Sequence, residues 1–222
     1  MWLARAEAVG AALVLAVAAL GLALVPVTTS ACVRALVTAV GSAEITGLSE
    51  AGTFAAAEAV RVFVLDADAQ ALPETLEGVP AFDDDAVSHL VDVRDVLIPT
   101  RWLTIALLVL SVTWVAVRVR TPGGRHVVAA GLRGAGSALA IGASLALVVG
   151  LLDFGSFFTW FHGLFFEAGT WTFPSSALLI RVFPTAFWVS AGALWGGLVL
   201  MFATAMFIAG RRLGFTQGNY GV

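Results

Sequence analysis

The stretch AVGAALVLAVAALGLALVPV, residues 8–27, contains no charge over twenty residues, enough to cross roughly 30 Å of hydrocarbon at about 1.5 Å rise per residue. Three more apolar runs follow at 102–118, 134–152 and 184–210, the second flanked by Arg101 and Arg118, which are placed to snorkel. Without water to pair with backbone N–H and C=O groups, such segments must close their hydrogen bonds as helices. The balance of residues agrees: 59% are hydrophobic, 12% are charged and the mean hydropathy is +0.95, which is outside the usual range of water-soluble domains. The chain reads as an all-α polytopic membrane protein, one membrane domain over residues 1–222 with four transmembrane helices.

A signal peptide is the competing reading of the first run, because TTSAC (residues 28–32) superficially resembles the end of a lipoprotein signal. Against it, Arg5 is offset by Glu7, the apolar run exceeds a normal signal core, and Thr29 stands three positions before Cys32 where a short apolar residue belongs. A retained helix is expected. The single cysteine forbids an internal disulfide, and histidines at 89, 126 and 162 lack short-range metal-ligand spacing. No basic face suits nucleic acid.

Arginine placement gives the orientation. RVRTPGGRHVVAAGLR, between the second and third runs, carries Arg118, Arg120, Arg125 and Arg133 and no acid, and Arg211 and Arg212 open the tail. The positive-inside rule puts both in the cytoplasm, so both termini are expected inside and the other two connections outside. Residues 28–100 hold 12 of the 15 acids against Arg34, Arg61 and Arg94; they are expected to form a small helical extracytoplasmic cap, with LPETLEGVPAF (72–82) as a turn-rich segment. The second outer connection, 153–183, is free of charge from Phe154 to Phe166. An interfacial or re-entrant aromatic segment is expected there, with Trp160 and Trp171 at headgroup depth.

Two histidines fall on the outer side. In FDDDAVSHLVDVRDVL (82–97) a helix would place Asp85, His89 and Asp92 on one face, with a carboxylate on either side of the imidazole and Leu90, Val93 and Leu97 on another stripe. The structural alternative is an acidic surface helix whose aspartates favour its N-terminus. His162 stands in FFTWFHGLFF (157–166) among five phenylalanines and a tryptophan. An imidazole in so apolar a setting is costly unless paired, which favours a functional role over a simple bond to a backbone carbonyl. His126, in the inner arginine loop, reads as solvated. Ser175 and Ser176 read as caps for a helix over ALLIRVF. A divalent metal held by His89, His162 and outer carboxylates is compatible with the pattern.

SHLVDVRDVL (88–97) and WFHGLFFEAGTWTFPSSALLIRVFPTAFW (160–188) resemble the two signature regions of a four-span bacterial membrane family that includes the lipoprotein intramolecular transacylase. The matching positions are His89 with Asp92 and Val93, Phe161 and His162, Phe165 and Phe166, Trp171 and Phe173, then Phe183, Pro184, Phe187 and Trp188. The early outer loop departs from the family in being alanine-rich and free of lysine. The resemblance implies a bacterial cytoplasmic-membrane acyltransferase, needing no cofactor, whose partners are membrane phospholipid and a diacylglyceryl-modified lipoprotein. It would move an acyl chain from the glyceryl ester to the α-amine of the lipoprotein's N-terminal cysteine. The implied catalytic residues are His89, supported by Asp92 or Asp85, as base and His162 as acid or oxyanion support, or the reverse; Phe161, Phe165, Phe166, Trp171 and Arg181 are implied to bind substrate. Rival readings keep the site but change the acyl acceptor, or make the protein a non-catalytic binder of lipid or a partner.

Overall fold

The computed structural model describes residues 2–215. The helices are α1 (Trp2–Val27), α2 (Ser30–Ala39), α3 (Ser42–Thr46), α4 (Glu50–Leu65), α5 (Asp84–Arg118), α6 (Gly124–Leu152), α7 (Phe154–His162), α8 (Leu178–Val182) and α9 (Thr185–Phe215), with a two-residue hairpin of β1 (Thr75–Leu76) and β2 (Val79–Pro80). α1, α5, α6 and residues Thr185–Gly214 of α9 are long and apolar enough to cross a membrane, and at most 28% of each apolar window is buried within the chain. The rest of those windows is apolar surface suited to lipid.

The chain divides into two compact units. The first comprises residues 1–24, 101–148 and 195–222. Its core is built from small residues: Ala19 and Ala23 of α1, Leu139 and Ala143 of α6, and Val199 and Ala203 of α9 are buried together. Small side chains let backbones approach, and this is where helices gain packing when lipid removes the hydrophobic drive to associate. A Cβ at Gly136 of α6 would lie 2.6 Å from the Ala203 carbonyl oxygen and 2.9 Å from the Phe207 nitrogen of α9. Polar contacts fix the ends of the packing. Glu7 accepts from Trp114 Nε1 at 3.0 Å and from Arg118 Nη2 at 2.8 Å, and Trp195 Nε1 donates to the Leu20 carbonyl at 3.1 Å.

The second unit comprises residues 25–100 and 149–194. Its core gathers Val33 and Val37 of α2, Ala56, Ala57, Val60 and Phe63 of α4, Ala86 and Leu90 of α5, and Leu178, Leu179 and Val182 of α8. α2 and α4 begin under the hydroxyls of Thr29 and Ser49, which accept from the backbone N–H groups of Cys32 and Gly52. The segment expected to be turn-rich holds the hairpin. Glu77 and Gly78 both have positive φ, 52° and 81°, as a tight turn matched to strand twist requires. Glu77 then reaches back to accept from the Ser49 backbone N–H at 3.0 Å and from the Ser49 hydroxyl. These two bonds hold its carboxyl below the usual range and tie the hairpin tip to the start of α4.

Short helices α3 and α8 clamp each other. The buried Ser42 hydroxyl donates to the Val182 carbonyl at 2.9 Å, and Arg181 Nη1 donates to the Thr46 carbonyl at 3.1 Å. Each bond satisfies a carbonyl at the C-terminal end of a helix, and Arg181 adds a cation where such an end is negative. Ser175 and Ser176 do not cap α8. Ala177 occupies the cap position without a side-chain bond, because the backbone turns through Pro174–Ala177 before the helix begins.

Candidate functional site

The site lies in the second unit. α5 follows directly on Asp83, whose carboxylate accepts from the Ala86 N–H at 2.9 Å, and its first turns present Ala86, His89 and Leu90 to the core; these are 1%, 8% and 4% exposed. This corrects the expected arrangement. His89 belongs to the apolar face with Leu90, while Asp85 and Asp92 are exposed. The reason is the ring itself, which packs edge-on against Phe166 at 5.1 Å between centroids and at a tilt against Phe173 at 5.5 Å. Of the two carboxylates, Asp92 acts electrostatically on His89.

α7 supplies the second imidazole. Asp153 starts this nine-residue helix by accepting from the Ser156 N–H at 3.0 Å, and that interaction holds the carboxyl below its ordinary value. Phe154, Phe158 and His162 follow at four-residue intervals, so they stack along one face; the ring centroids are 5.6 Å apart for the first pair and 3.8 Å for the second. His162 Nδ1 lies 2.9 Å from the Phe158 carbonyl oxygen. A carbonyl only accepts, so Nδ1 carries the proton, and in the neutral ring Nε2 is left with its lone pair. Burial among the rings is the main influence on this group and pulls its pKa below the ordinary 6.5, with the bond to Phe158 opposing more weakly.

The two imidazoles, 73 positions apart in the chain, stack with centroids 6.3 Å apart and planes inclined by 28°. Phe166 touches both, and Trp171 lies 4.9 Å from His162 and 6.3 Å from Phe158. Two polar atoms in this nest are covered and have no hydrogen-bond partner among the described residues: His89 Nδ1 and Trp171 Nε1. Leaving each unmet costs about 1–3 kcal/mol.

The remaining expected residues are dispersed around this centre. Phe161 and Phe165 pack on each other at 5.2 Å and are 43% and 49% exposed, extending the aromatic surface outward from His162 and Phe166. Arg181 is engaged with Thr46 and takes no part in the ring contacts. Phe158 was missed as a site residue, although its place four residues before His162 on a helical pattern is a legible signal. Among the described residues no three His, Cys, Asp or Glu side chains gather as a metal site.

Fold and site define a polytopic helical membrane protein that holds a pair of imidazoles in an aromatic nest. The chain belongs to the lipoprotein intramolecular transacylase Lit family, whose model matches residues 12–188, and it is accordingly an integral membrane acyltransferase acting on lipoproteins. Its fold is similar to that of the membrane integral lipoprotein intramolecular transacylase Lit from Bacillus cereus, solved in meso, with a TM-score of 0.80 at 16% identity over 96% of each chain. Histidine-to-arginine and histidine-to-alanine mutants of that protein match with TM-scores of 0.72 at 15% identity, over 96% of this chain and 92% and 94% of theirs. No curated protein matches the chain.

Proposed function

We propose that the protein transfers an acyl chain from the diacylglyceryl group of a lipoprotein's N-terminal cysteine to the α-amine of the same cysteine. The observation that carries this reading is the imidazole pair, one member of which has its free lone pair fixed by the backbone. In the reaction the amine nitrogen attacks the ester carbonyl, an N–C bond forms, the C–O bond to glycerol breaks, and the amine's proton ends on the glyceryl oxygen. An α-amine has a reference pKa near 8 and must shed a proton to attack. Of the two role assignments the sequence leaves open, we favour His162 as the base, through Nε2. The proton that His162 takes from the amine passes through His89 to the departing oxygen, so the neutral pair moves one proton across the site in each cycle. Exposed Asp92 supports His89 by its charge, while Asp85 has a lesser part. Phe161, Phe165 and Phe166 hold acyl chains and exclude water, which competes as a nucleophile.

The arginine pattern supports placing residues 28–100 and 153–183 on the outer side of the cytoplasmic membrane, with both termini inside. There a lipoprotein tethered in the outer leaflet presents amine and ester together, so attack is intramolecular and gains the advantage of a fixed geometry.

The test uses cells that lack their own N-acylating activity. With this protein expressed, fragmentation mass spectrometry of a reporter lipoprotein's N-terminal peptide should find an N-acyl, monoacylglyceryl cysteine in place of the free-amine diacylglyceryl form. Unchanged lipopeptide from several reporters, with the protein correctly inserted, overturns the reading.

A pH dependence follows. Since the neutral form of His162 persists to below pH 6.5, kcat/KM for a synthetic lipopeptide should fall first with the free-amine fraction, below about pH 8. A second and steeper fall should have its midpoint below pH 6.5, as the imidazole pair takes up an extra proton. A profile in which the enzyme's own inflection lies above 6.5 contradicts this assignment.

A further inference from the structure

We propose that the Trp171 indole N–H is the oxyanion donor of the reaction; this rests on the transacylase reading above. Trp171 is half-buried, yet its Nε1 is covered and has no partner among the described residues. It belongs to the ring that stands 4.9 Å from His162 and meets Phe158 edge-on at 6.3 Å. An indole N–H can only donate, so the group it awaits is an acceptor. In ester aminolysis the acceptor that strengthens most is the carbonyl oxygen: as the amine nitrogen bonds to carbon, the C=O electron pair moves onto that oxygen, and it returns when the bond to the glyceryl oxygen breaks. A donor fixed beforehand at that point lowers the barrier because it need not reorganise.

The two histidines are occupied with the proton, His162 Nδ1 being spent on the Phe158 carbonyl. Neither is free to stabilise the oxyanion throughout both steps. Arg181 donates through Nη1 to the Thr46 carbonyl and takes no part in the ring contacts, so within the nest Trp171 Nε1 is the covered donor that has no proton to transfer. Trp171 packs on the rings of His162 and Phe158, and an acyl group that takes up such packing breaks no hydrogen bond at Nε1. The site thus reads the ester as a donor beside a base: Nε2 of His162 faces the amine while Nε1 of Trp171 faces the carbonyl oxygen.

The test measures kcat and KM of the purified full chain in micelles with a synthetic diacylglyceryl-cysteine lipopeptide, following the N-acyl product by mass spectrometry. Trp171→Phe keeps an aromatic ring and removes the donor. Installing 3-benzothienylalanine at position 171 replaces N–H by sulfur in a nearly isosteric ring, and it decides the question where the phenylalanine variant fails to fold. Both changes should lower kcat by about 10²-fold and leave KM unchanged. Wild-type kcat in the benzothienyl variant, or a loss confined to KM, overturns the proposal while leaving the transacylase reading intact. Absence of N-acyl product from the wild type removes the reading itself and this proposal with it.

Discussion

His162→Ala should reduce transacylation by about 10³-fold, within the usual range for removal of a general base, while the protein still inserts and folds. The fold survives because the imidazole's one hydrogen bond is made to a carbonyl of its own helix and ties α7 to no other element, and α7 contains no fully buried residue. The effect is on kcat, because the aromatic surface of Phe161 and Phe165, proposed above to hold the acyl chain, is left in place. His89→Ala should cost a similar factor. The double variant should be little worse than the poorer single one, since residues that handle one proton together do not contribute independently. The readout is the initial rate of N-acyl lipopeptide formation at matched protein abundance. A double variant whose loss is the product of the two single losses would show that the imidazoles act separately.

The second large effect is on stability. Gly136→Leu should prevent the first unit from packing, at a cost of about 3 kcal/mol or more. Its Cβ alone would stand 2.6 Å from one backbone atom of α9 and 2.9 Å from another, and backbone in a long helix cannot yield as a side-chain tip does. Gly142→Ala, six residues further along α6, is the control: a Cβ there meets nothing within 4 Å. Thermal unfolding in micelles, followed by tryptophan fluorescence, should show a large drop for the first substitution and none for the second. Equal midpoints would mean that α6 and α9 do not depend on this close approach.

The four long apolar helices were legible because hydropathy over twenty residues is a local property. The same holds for the interest of His89 and His162, each conspicuous against its immediate neighbours. Their stacking was not legible, since it depends on where α7 sits against the start of α5, and no periodicity within either segment carries that. The face chosen by His89 was misjudged for a related reason. Helical spacing aligns it with Asp85 and Asp92, but Phe166 and Phe173, distant in sequence, draw the ring inward. The missing cap at Ser175 and Ser176 shows the limit of residue type alone: a hydroxyl in the right neighbourhood caps a helix only if the backbone presents it at the right turn. Arg181 read as a substrate-binding cation, and its bond to the Thr46 carbonyl of α3 depends on a contact that no local pattern carries.

The bond from His162 to Phe158 makes a peptide group, not a side chain, the setter of the imidazole's tautomer. Residue 158 can therefore change its chemical character without disturbing which nitrogen holds the proton, so long as the helix turn persists. Asp153, which starts that turn from nine residues away, is less replaceable despite being exposed and uninvolved in the reaction. Mutational tolerance around this site should accordingly follow helix integrity more closely than distance from the reacting atoms, and a scan would find the aspartate sensitive where several aromatic positions are forgiving.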